Sequence, residues 1–224
     1  MPPIFCHDPA LRTDFPTLVA AALVVDGVDD LTALALDPVP HLTVARARLA
    51  DTTEGALPEV RAWRAAFTAM GLKPTQYRCA SESLLRRLRT QGDMPALHPL
   101  IDFGNAVSAA FAIPLAIFDL DHIALPLTVT RAVGDERYIT FAGEEEQPEP
   151  GEVIFCDAEG WAHSRRWTHR QSGRSAVRAS TRRALLVTEA LHDGAAADVA
   201  RLADTLIAAL QPAGAEVEIV ATVD

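Results

Sequence analysis

Residues 78–108 read RCASESLLRRLRTQGDMPALHPLIDFGNAVS, which packs a helix, a Gly-Asp-Met-Pro break and a second helix into one stretch. Ser81 is placed to cap the first helix, and Ser83, Leu84, Leu85 and Leu88 carry it forward until Gly92 and Pro95 stop it. In the second helix Asp102, Asn105 and Ser108 recur at helical spacing and share a face with Leu100, Ile101 and Val107. Polar groups in that setting need partners or a ligand, because burying them bare is costly.

Around this unit the periodicity changes along the chain. Leu18 to Val25 is a short apolar run ending at Asp26-Gly27, which predicts a buried strand and a turn. Asp30 to Pro40 reads as irregular, and Val44 to Ala50 and Leu57 to Met70 as helical. The second of these helices places Val60, Trp63, Ala66, Phe67 and Met70 on one face and stops at Gly71. From Leu115 to Tyr138 the pattern is extended, with LPLTVTRAV and ERYITFA predicted to pair as a hairpin across Gly134-Asp135. EEEQPEPGE reads as a loop leading into a strand at Val153 to Cys156, and Asp157 to Gly160 as a turn. A strand over Ala184 to Thr188, a helix over Ala195 to Leu210 and a strand over Val217 to Val223 complete the chain.

The 224 residues, 49% hydrophobic, suffice for one packed domain. Cys6, Cys79 and Cys156 show no CxxC or Cys/His spacing, so a disulfide framework or a structural metal is not expected and a reducing cytoplasm is. The N-terminus lacks a basic leader and no apolar run is long enough to span a bilayer, which predicts a soluble, untargeted, cytoplasmic protein without a membrane partner. The net charge of −10 argues against a polyanionic partner taken as a sum, but its distribution is uneven. Seven acids lie between Glu144 and Glu159 with no Lys or Arg, and seven arginines between Arg165 and Arg183 with no acid. Two readings stay open: a solvated basic face paired to an acidic loop, or a phosphate-contacting strip with salt-sensitive binding.

No GxSxG, glycine-rich phosphate loop, GxGxxG or HExxH is present, and the histidines do not group at ligand spacing. Asp119 and Asp121, two apart on a predicted strand, are expected to face one side, where paired carboxylates can bind a cation or an amine or act as acid and base; two solvated acids at a strand end fit equally. Glu82 and Arg86 are spaced for a helix pair. His169 and His98 are further possible bases.

FDLDHIALPLTVTRAVGDERY from Phe118, GEVIFCD from Gly151 and RRWTHRQS up to Ser172, taken with residues 78–108, resemble the stand-alone relatives of the phenylalanyl-tRNA synthetase beta-subunit editing domain, the B3/B4 domain. The resemblance runs from about Trp63 to Leu191. It implies an α+β layered fold of small mixed β-sheets packed with helices: a single domain over 1–224, with a divergent part over 1–56, the matching core over 57–191, and a C-terminal helix and strand over 192–224. The implied activity is trans-editing, hydrolysis of the ester of a mischarged aminoacyl-tRNA, canavanyl-tRNA among the family's substrates. A non-catalytic module that binds tRNA or a free amino acid is the alternative. The implied partner is tRNA, with no DNA and no cofactor.

Carried over by position, Asp102 and Asn105 fall on the D-x-x-N helix pattern, Phe118 and Asp119 on the Phe-Asp pair, Arg131 and Ala132 on the R-x-A-like strand, and Glu136 on the hairpin glutamate. Glu189 falls on the glutamate that ends the strand lining the synthetase pocket. The resemblance thus makes Glu189 and Asp119 the catalytic candidates, Asn105, Asp121, Ser172 and Thr181 substrate contacts, and Arg166, Trp167 and Arg170 the tRNA contact; for Trp167 two readings stay open, a core residue or a stacking platform for the terminal adenosine. One departure stands out: the histidine that the synthetase domain carries two residues before its Phe-Asp pair is Ala116 here.

Overall fold

Leu18 to Val25 does form the expected strand, and the rest of the chain is arranged about it. The computed structural model describes residues 3–32 and 35–223. Strand β1 (Phe5–His7) and helix α1 (Pro9–Asp14) precede β2 (Val19–Asp26), which ends at Gly27 in the left-handed region. Helices α2 (Val39–Arg48), α3 (Pro58–Ala69), α4 (Ala80–Gln91) and α5 (Pro99–Phe111) follow. The extended half comprises β3 (Leu115–Asp119), β4 (Leu127–Arg131), β5 (Tyr138–Ile139), β6 (Glu145–Glu146), β7 (Val153–Cys156), β8 (Ala162–Arg165) and β9 (Arg170–Gln171). The chain closes with β10 (Arg183–Ala190), α6 (Ala195–Leu210) and β11 (Glu216–Val223).

Two larger sheets result, beside the two-stranded β5-β6 pair, making this an α+β layered fold. One runs β11-β2-β10-β3, antiparallel throughout. The other runs β1-β4-β7-β8-β9, with β1 parallel to β4 and the remaining pairs antiparallel. Alternation along β10 sends Ala184, Leu186 and Ala190 into the core shared with α5 and α6, and Leu185 and Val187 into the core shared with the second sheet and α3. Because both faces are covered, β2 reads as an unbroken apolar run rather than an alternating one. Helix α5 lies close on β3: a Cβ at Gly104 would meet Ile117 Cδ1 at 2.5 Å.

Several local expectations are corrected. Ser81 does not cap α4; Cys79 holds that position, and Ser81 is buried with its hydroxyl 3.4 Å from the Cys79 sulfur. Glu82 does not pair with Arg86 but, fully buried, meets Arg64 at 2.6 Å and Arg78 at 3.5 Å. The hairpin across Gly134-Asp135 does not form: β4 pairs with β1 and β7, and β5 pairs with β6, which lies in the stretch expected to be a loop. The turn itself is real, with Glu136 accepting from the backbone N–H groups of Val133 and Gly134. Local chemistry makes the turn, and distant strands decide the pairing.

The segregated charges meet each other. Arg165, 5% exposed, donates to Glu152 at 2.8 and 2.9 Å and to Glu146 at 2.7 Å, and Arg170 reaches Glu146 at 3.1 Å. Burial alone would raise the Glu152 carboxyl, but the bonds and charge of Arg165 hold it below its ordinary value.

Candidate functional site

Since side chains alternate along a strand, Glu189 continues the Leu185-Val187 face and points between the two sheets. It is 1% exposed. His7 Nε2 lies 2.7 Å from its Oε1, and the Trp167 indole N–H donates to both oxygens at 3.1 and 3.0 Å. Two polar donors therefore offset the desolvation of this carboxylate. Arg183, the other conceivable partner, pairs with Asp26 instead.

Trp167 sits in a turn of unusual backbone. Arg166 and Trp167 both have positive φ, 48° and 59°, where non-glycine residues are rarely held unless their surroundings impose it. Here the Trp167 backbone N–H donates to Val153 O at 2.6 Å and the Ser164 hydroxyl to Trp167 O at 2.5 Å, while the indole packs edge-on against Phe15 and Trp63. Trp167 is fully buried, so of its two readings the core one holds and the stacking platform is corrected: neither face of the ring is open to a base.

A cleft of about 60 Å³ opens beside Glu189, lined also by Ala80, Ala116, Thr168, His169 and Gln171. The Thr168 hydroxyl is buried without a partner. His169 Nδ1 is 2.8 Å from Arg78 O and 3.3 Å from Arg78 N; the shorter contact makes Nδ1–H the donor and leaves Nε2 as the basic nitrogen. Burial pushes the His169 pKa below the usual imidazole value, and the charges of Arg166, Arg170 and Arg78 act in the same direction against the bond to Arg78. The ring is thus neutral at neutral pH. Ala116 lines this cleft, and an imidazole reaches it from the turn between β8 and β9.

The cleft continues into a groove of about 550 Å³ along α4, with Ala80, Leu115, His169 and Gln171 common to both. Arg78, Arg86 and Arg87 line the groove, as does Asn105. Arg86 makes a 3.4 Å ion pair with Glu54, whereas Arg87 has no ion-pair partner among the described residues.

The structure therefore divides the expected site residues. Glu189 borders the cleft and Asn105 the groove. Asp119 and Asp121 do not share a strand face, because β3 ends at Asp119 and Asp121 lies, exposed, in the single turn that follows. Asp119 accepts from the Asp121 N–H at 3.0 Å and the Thr181 hydroxyl at 2.6 Å, which ties down that turn. Its register partner on β10 is Ala184, five residues from Glu189. At 3.4 Å per residue that is roughly 17 Å, and the two carboxylates lie on opposite faces of the sheet. Asp119 and Glu189 do not share one site. The Ser172 hydroxyl donates to Ile139 O at 2.8 Å and accepts from the Arg174 N–H. Arg166 stacks over the Tyr77 ring at 4.7 Å, and Arg170 is exposed. His98 accepts from the Leu100 N–H at the start of α5. Sequence reasoning missed His7, Thr168 and Gln171. No local pattern flags His7, which is 182 positions from the carboxylate it meets.

No helix among the described residues is long and apolar enough to cross a membrane. A comparison with curated proteins finds no match. Among solved structures, the chain is similar to an N-terminal fragment of the phenylalanyl-tRNA synthetase beta-subunit from Pyrococcus horikoshii, with 14% identity and a TM-score of 0.51. The similarity covers 95% of this chain and 49% of that one, so the chain spans about half of the fragment's length, and at this identity it shows the fold. Residues 62–205 match the B3/4 domain family. With that match over more than half of its length and a layered α+β fold to accompany it, the chain belongs to the B3/4 domain family.

Proposed function

We propose that this protein hydrolyses the ester of a mischarged aminoacyl-tRNA in trans, with the aminoacyl group in the Glu189 cleft and the acceptor end along the α4 groove. The observation that carries the reading is His169, a neutral imidazole with a free Nε2 at the junction of a small cleft and a basic groove. In this chemistry His169 takes a proton from water as the oxygen attacks the ester carbonyl. The carbon–oxygen bond to the ribose then breaks, and the proton passes to the ribose oxygen. Glu189, which lines the cleft, receives the α-ammonium of the amino acid. The groove, with Arg78, Arg86 and Arg87, suits a phosphate backbone; Arg166 and Arg170 extend the basic surface beyond the strained turn. The similarity to a synthetase beta-subunit adds support at the level of fold.

The binding-module alternative is favoured by one fact, that Glu189 already has two protein donors. A deacylation screen over tRNAs charged with cognate and near-cognate amino acids, canavanine included, separates the two. Turnover at catalytic protein concentration, lost in Glu189→Gln with the fold intact, is the expected result. Stoichiometric protection of the ester would establish the binder. A Glu189→Gln variant with wild-type melt and wild-type rate would remove that residue from the site.

A further inference from the structure

A second polar cluster lies where the first turns of α3 and α6 meet the segment leaving β10. A carboxylate oxygen of Glu59, a ring nitrogen of His192 and a carboxylate oxygen of Asp198 all lie within 4.8 Å of one another. Arg48 donates to Glu59 Oε1 at 2.6 Å, His192 Nε2 is 2.8 Å from Asp198 Oδ2, and Arg201 pairs with Asp198 Oδ1. Two atoms are left over. Glu59 Oε2 and His192 Nδ1 are buried with no hydrogen-bond partner, on side chains only 9% and 4% exposed. With the ring proton on Nε2 toward Asp198, both are bare lone pairs, and the cluster is short of an electron-pair acceptor.

We propose that Glu59 and His192 hold a divalent cation, with Asp198 orienting the imidazole from its Nε2–H side, and that Zn²⁺ is the ion they fit best. One imidazole nitrogen with one carboxylate oxygen, the remaining positions taken by water, suits zinc; magnesium and calcium are held by oxygens. The cation takes the Glu59 oxygen that Arg48 leaves free and the ring nitrogen of His192 that carries no proton. A groove of about 380 Å³, lined by Glu59 and Asp198, gives it a way in. Arg48 already neutralises the Glu59 carboxylate, so the ion competes with a guanidinium group, and with two protein ligands its affinity is modest. Its effect is structural: it clamps α3 to the segment leaving the strand that carries Glu189, three residues before His192, and the His192–Asp198 bond ties α6 to the same point.

Full-length protein stripped with chelator and titrated with Zn²⁺ by calorimetry tests this, with Co²⁺ absorption reporting the ligand type. One ion per chain is expected, with a rise in melting temperature and a Co²⁺ spectrum free of thiolate charge-transfer bands. Glu59→Gln and His192→Asn are each expected to weaken binding at least ten-fold, and melts in chelator establish that the variants fold. If both unfold, Asp198→Asn decides by the same measure. No saturable binding by the wild type, unchanged affinity in the folded variants, or a thiolate band assigning the ion to a free cysteine would each overturn the site.

Discussion

At the scale of single residues, burial decides the protonation of the cleft imidazole. His169 is held neutral by burial, so its folded pKa lies below the unfolded value of about 6.5. For a histidine shifted this way, the contribution to stability is present above about pH 6.5 and is lost as pH falls through the lower, folded value. Two outcomes follow from one shift. Single-turnover deacylation is expected to rise with pH to a plateau, with its inflection below 6.5, and His169→Asn to lower the plateau by a factor on the order of 10² to 10⁴ while abolishing that inflection. Denaturant unfolding across the same range is expected to show a smaller loss of stability on acidification in the variant. An unshifted profile in His169→Asn would assign the base elsewhere.

At the scale of elements, α4 serves two environments with one helical period. Leu85 and Leu88 pack inward against α5, while Arg86 and Arg87 face the groove side. Arg87 is exposed and holds no carboxylate among the described residues, so replacing it leaves none of them buried and unpaired. Arg87→Ala is expected to change stability by no more than about 0.5 kcal/mol. If the groove carries the acceptor end, the slope of log affinity for tRNA against log salt falls by about 0.7 to 0.9 in the same variant. Filter binding over a salt series reads this directly, and an unchanged slope would move the nucleic acid off α4. Arg170 is a poorer probe, because it also pairs with Glu146 and its loss disturbs the acidic segment.

At the scale of the whole molecule, the first 56 residues are structural rather than appended. Strand β2 lies between β10 and β11, and β1 brings His7 to Glu189. Removing residues 1–56 takes out a strand paired on both edges, detaches β11 and strips a donor from a buried carboxylate. The expected result is loss of the cooperative thermal transition, measured by circular dichroism; a shortened chain with a sharp melt would show that the 57–191 core suffices. The family match begins only at residue 62, so the strand central to the sheet lies outside it.

Much of the architecture is local and therefore legible in sequence. Helix α6 occupies its predicted bounds, α3 buries its Val60, Trp63 and Phe67 face, and β2 is the buried strand its unbroken apolar run implies. Each follows from a period of 3.6 or from uniform burial, both set by neighbours a few positions away. The place of Glu189 at the end of an apolar strand was legible in sequence, and its burial follows from that place. Tertiary structure alone decided its partners. Cross-strand pairing and burial depend on residues far apart in the chain: β4 chose β1 and β7 over its neighbour in sequence, Trp167 became core, and Asp119 was carried to the far end and opposite face of the sheet from Glu189. The cleft likewise joins the start of α4, one edge of β3 and the turn between β8 and β9, whose proximity no local period encodes.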